Sequence, residues 1–116
     1  MVLPELRQIL SPTLEPPALP ADPRDCAVDF HALIGPRGGA GAEAFAFTVA
    51  TPAHLLRLGP TWGRGYLVVE SFDWEPVVRA IAELLVKCAR PSWEEVVADL
   101  NRELRWQPGD RQAPPE

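Results

Sequence analysis

The segment Gly35-Pro36-Arg37-Gly38-Gly39-Ala40-Gly41 is the first place to look for chemistry, because glycine-rich loops can cradle phosphates. A phosphate loop also needs a Lys-Ser or Lys-Thr pair and a helix behind it, whose first amides meet the anion. Neither follows here, and the next residues alternate as a strand. The segment reads as a turn whose glycines supply positive φ. The histidines are His31, on a strand face opposite Phe30, and His54, on a short helix. Neither has a Cys or carboxylate at ligand spacing, so both read as structural or surface residues. Ser11 precedes a proline, Ser71 ends a strand and Ser92 starts a helix, and none sits in a nucleophile elbow. Cys26 and Cys88 are spaced for neither a metal nor a redox pair and read as free thiols. Glu94, Glu95, Asp99 and Glu103 are the wet side of a helix. Glu70, Asp73 and Glu75 gather at one junction between a strand and a helix. They serve either as caps and dipole partners or as an acidic patch that contacts a protein. No catalytic, metal or cofactor constellation can be assembled, so the expected protein is not an enzyme and takes no cofactor.

The 116 residues suit one domain, expected over residues 1–107, with 108–116 as a disordered tail. A chain of this length can bury a core without disulfides or metal. Its net charge of −5 argues against nucleic acid as a partner and favours a basic one. No apolar run is long enough to span a bilayer. The start, Met1-Val2-Leu3-Pro4-Glu5, does not read as a signal peptide, so no membrane role is expected and the default compartment is the cytoplasm. Every basic residue except Lys87 is Arg, which with the abundant Ala, Pro and Gly points to a GC-rich genome.

Periodicity supplies the scaffold. Val28, Phe30, Ala32 and Ile34 alternate with Asp29, His31 and Leu33; Phe45, Phe47 and Val49 alternate with small residues. A period of two predicts two half-buried strands, paired antiparallel across the glycine turn. Leu3 to Leu10 reads as an edge strand, with Leu6 and Leu10 on one face and Pro4 at the rim. Residues 11–24 carry Pro12, Pro16, Pro17, Pro20 and Pro23 and form a connecting loop. Thr51-Pro52 starts a short helix, and Gly65 to Ser71 is a further strand. Asp73 caps a helix whose stripe is Val77, Val78, Ile81, Leu84, Leu85 and Cys88. Ser92 and Glu95 form a capping box for another, with the stripe Trp93, Val96, Val97, Leu100 and Leu104; Trp93 is expected in the core and Trp106 as the last anchor. The fold class is therefore α+β: an antiparallel sheet of about four strands with two C-terminal helices packed on one face.

Several landmarks then fall in a familiar order. Leu33-Ile34-Gly35-Pro36, the glycines at 38, 39 and 41, Glu43-x-Phe45-x-Phe47 and Thr51-Pro52-x-x-Leu55 come first. Gly63-Arg64-Gly65-Tyr66-Leu67-Val68-Val69-Glu70, Phe72-Asp73, Cys88, Ser92-Trp93-Glu94-Glu95-Val96, Leu100-x-Arg102 and Arg105-Trp106 follow. Over roughly residues 6–106 the chain resembles the immunity protein 8 family of bacterial polymorphic-toxin systems. It departs from the family pattern at Ala50 and His54, where Cys and Trp are expected, and after Trp106. The resemblance implies a small, non-catalytic cytosolic protein that binds and neutralises a cognate toxin domain, with basic nucleases among the toxins it would suit. The competing reading is a non-catalytic structural or regulatory subunit of another complex. A large secreted protein with a toxin-like C-terminal domain, encoded next to this gene, separates the two.

Overall fold

A computed structural model describes residues 1–108. Strands and helices follow in the order β1 (Pro4–Leu10), β2 (Ala27–Pro36), β3 (Glu43–Ala50), α1 (Pro52–Leu58), β4 (Tyr66–Val68), α2 (Trp74–Lys87), α3 (Trp93–Leu100) and β5 (Arg105–Trp106). They form one mixed sheet in the order β1-β2-β3-β4, with β5 also paired to β3. The α+β class and the edge position of β1 match the sequence reading. The tail expected beyond residue 107 lies, from residue 109 on, outside the described residues.

The central hairpin forms as its alternation dictates. Val28 pairs Val49, Phe30 pairs Phe47 and Ala32 pairs Phe45, so the large side chains of both strands fall on one face. All of them are buried. Phe30 and Phe47 stack with ring centroids 5.2 Å apart, and Trp74 meets Phe30 edge-on at 5.6 Å. Val77, Ile81 and Leu85 of α2 and Val96, Val97 and Leu100 of α3 close the same face. Each large side chain enclosed this way contributes about 1.5–3 kcal/mol. The proline-rich loop is tied to this core at two points. Trp74 Nε1 donates to Ala18 O at 2.6 Å, and the Phe72 amide donates to Pro23 O at 2.7 Å.

Four details differ from the expectation. First, β4 runs parallel to β3, with Thr48 paired to Tyr66 and Ala50 to Val68, so the sheet is not wholly antiparallel. The reason is α1. A helix between two neighbouring strands carries the chain back to its starting end, so the next strand points the same way. Second, Arg105 and Trp106 form a fifth strand, antiparallel to β3 at Ala46 and Phe45. Two residues carry too little pattern to read as a strand. Third, the register of β1 shifts between Leu6 and Gln8. This bulge puts Leu6 and Ile9 against the core, opposite Ile34 and Ala32, and leaves Leu10 opposite His31 on the outer face. Fourth, Trp93 is half-buried and Val78 is exposed, because the two stripes are narrower than their apolar residues suggest.

Candidate protein-binding interface

The acidic residues singled out in the sequence lie along the junction from β4 to α2, in different states. Glu70 follows β4 and is exposed; among the described residues it takes part in no salt bridge. Asp73 caps α2, its Oδ1 accepting the Trp74 amide at 2.8 Å. Glu75 lies in the first turn of α2, where its charge suits the helix dipole, and pairs with Arg79 one turn on. Capping and dipole complementation therefore occupy two of the three.

The glycine turn is structural in its contacts. Arg7 Nη2 donates to Pro36 O at 2.6 Å and to Gly39 O at 2.8 Å, so a cation holds the loop by its carbonyls. Gly38 and Gly41 have φ of 76° and 86°, as expected of turn glycines. Gly35 is needed for another reason: a Cβ there would lie 2.3 Å from Gly41 O. His54 sits in α1 and its ring Nδ1 lies 3.4 Å from Arg57 Nη2; His31 is exposed on the outer sheet face. Among the described residues no three His, Cys, Asp or Glu side chains form a group that could hold a metal ion. Cys26 and Cys88 are free thiols. Burial, with a hydrogen bond to the Asp99 carboxylate, pushes the Cys88 thiol up to about 11, and burial raises Cys26 as well. Neither is a poised nucleophile.

A polar chain on the outer face joins three strands. Thr48 Oγ1 donates to Asp29 Oδ1 at 2.8 Å and accepts from Arg105 Nη2 at 3.0 Å. Arg105 Nη1 reaches Gly65 O at 3.1 Å, and the guanidinium lies 6.0 Å from the Tyr66 ring centroid. The arrangement ties β5 and β4 to β3.

What the molecule does present is a sheet edge flanked by clefts. One cleft of about 310 Å³ lies between β4 and α2, lined by Leu67, Ile81, Leu84 and Leu104 together with Glu83 and Glu103. A second, of about 470 Å³, lies on the other side of β4, where Leu55 and Leu56 of α1 face Tyr66 and Val68. Sequence reasoning missed both, since their walls come from elements far apart in the chain.

A family model, Immunity protein 8, matches residues 15–110. The chain belongs to the immunity protein 8 family. The matched span includes the hairpin, all three helices and β4 and β5, so membership rests on nearly the whole fold. Within that family the broad role is immunity in a toxin system. None of the curated proteins and none of the solved structures compared with the chain matches it. No helix among the described residues is long and apolar enough to cross a membrane.

Proposed function

We propose that this protein binds a toxin encoded beside it and neutralises that toxin by occupying its surface, without chemistry of its own. The family match over residues 15–110 carries the reading. The net charge of −5 supports a basic partner, such as a nuclease, since an acidic inhibitor gains encounter rate by steering. Glu70, Asp73 and Glu75 are proposed contributors to the contact. Glu70 is the most available of them, being exposed and outside the cap of α2. Cytosolic neutralisation is part of the same proposal.

The test is co-expression. Cells producing the C-terminal domain of the large secreted protein encoded next to this gene should die, and should survive when this protein is made with it. The purified pair should form a complex, while the protein alone shows only background turnover of nucleic acids, nucleotides and esters. Death of the co-expressing cells, with no complex in vitro, would sink the reading.

A further inference from the structure

The two edges of the sheet are built differently. On β1, Pro4 has no amide to offer, the bulge after Leu6 breaks the register, and Val2 is bridged to Arg90 by hydrogen bonds of 2.6 and 3.2 Å. These are the usual defences of an edge against a foreign strand. The opposite edge consists of β5 and β4 in line along β3. On either side of β4 the Gly65 carbonyl accepts from the Thr48 amide and the Val69 amide donates to Ala50 O. Backbone groups alternate in direction along a strand, so those of Tyr66 and Val68 point away from β3. Tyr66 N–H is turned back to Gly63 O at 3.2 Å. Among the described residues the Val68 N–H makes no such bond, and the residue is 54% exposed.

Both faces of this edge are apolar hollows. Leu67 opens toward α2, while Tyr66 and Val68 open toward α1. Beside the second hollow Leu56 is 82% and Trp62 92% exposed. Single exposed apolar residues are ordinary, but these adjoin a cleft and the outer edge of β4. The first hollow is lined by Glu83 and Glu103 against Lys87, and Glu70 stands just past the end of β4. Two carboxylates thus face one ammonium in the first hollow, while the Arg105 guanidinium lies over Tyr66 on the outer face.

We propose that an extended segment of the toxin adds to the sheet beside β4, its side chains alternating into the two hollows and its basic residues meeting Glu83, Glu103 and Glu70. The inference rests on the toxin-binding reading. Strand addition fits because main-chain bonds give affinity while alternate side chains fill pockets on opposite faces. Apolar floors take the stems of Arg or Lys, and the carboxylates take their heads.

The experiment uses the toxin C-terminal domain encoded beside this gene, inactivated by substitution in its own active site. Amide hydrogen exchange of the full-length protein is followed with and without that domain. Val68 N–H should become protected in the complex, while Leu6 on β1 should not change. Val68→Pro removes that donor without touching a bond to β3, and the double variant Glu83→Lys with Glu103→Lys reverses the rim. Each should weaken binding by about 30-fold, as loss of a central contact does. The rim variant keeps the test decisive if the proline disturbs β4. Binding by the unaltered protein with Val68 unprotected and the rim variant at full affinity would overturn strand addition and leave the immunity role intact. No binding by the unaltered protein would overturn both.

Discussion

At the scale of single residues, two positions are set by atoms outside their own elements. Gly35 lies against Gly41 O and within 2.9 Å of Arg7 Nη2, measured from where a Cβ would sit. The backbone carbonyl cannot move aside without opening the turn that Arg7 holds. Gly35→Ala should therefore lower stability by about 1–3 kcal/mol, the usual cost of overpacking, read from urea unfolding. Cys88 offers a different test. Its thiol is held neutral by burial and by the Asp99 carboxylate, so its folded pKa of about 11 exceeds the 9.0 of an ordinary thiol. Above pH 9 the unfolded chain releases this proton while the folded chain keeps it. The contribution to stability is complete below pH 9 and is lost as pH climbs toward 11. Unfolding free energies measured between pH 8 and 11 should fall less steeply in Cys88→Ala than in the unaltered protein. A thiol reagent should also label half-buried Cys26 before Cys88.

At the scale of elements, helix ends were plain in the sequence and helix faces were less so. Thr51, Asp73 and Ser92 all cap helices as their types and positions imply, and Ser92 Oγ accepts the Glu95 amide at 3.2 Å. Trp93 stands in the first turn of α3, where the helix leaves the core, and so is only half enclosed. Trp93→Ala should cost roughly 2–3 kcal/mol, less than the 3–5 of a fully enclosed ring. A thermal or urea midpoint unchanged by this substitution would mean that Trp93 contributes nothing to α3 packing. The bulge in β1 shows why strand faces need more than alternation. One extra residue shifted Leu10 to the outer face, where it is 42% exposed.

For the whole molecule, charge is the property that bears on its partner. Reversing Glu70 and Glu75 to Lys removes two exposed carboxylates, one of them paired only with an exposed Arg79. Exposed pairs contribute little, so stability should change by less than about 1 kcal/mol. Association with a basic toxin should slow and lose part of its dependence on ionic strength, as stopped-flow rates at two salt concentrations would show. Equal rates for both forms would remove these two residues from the contact and leave the sheet edge as the surface to map.

The sequence by itself determined the hairpin, the helix starts, the α+β class and the family, because these depend on local periodicity, on capping residues and on landmarks in a fixed order. It also placed Glu70, Asp73 and Glu75 along one strand-to-helix junction, since they are neighbours in the chain. Only the tertiary structure decided the direction of β4, the pairing of Arg105 and Trp106 with β3, and the difference between the two sheet edges. Each of those depends on where a crossover or a return of the chain comes to rest. Val2 meets Arg90, and Glu83 and Glu103 come beside Tyr66, across distances in sequence over which no local pattern extends.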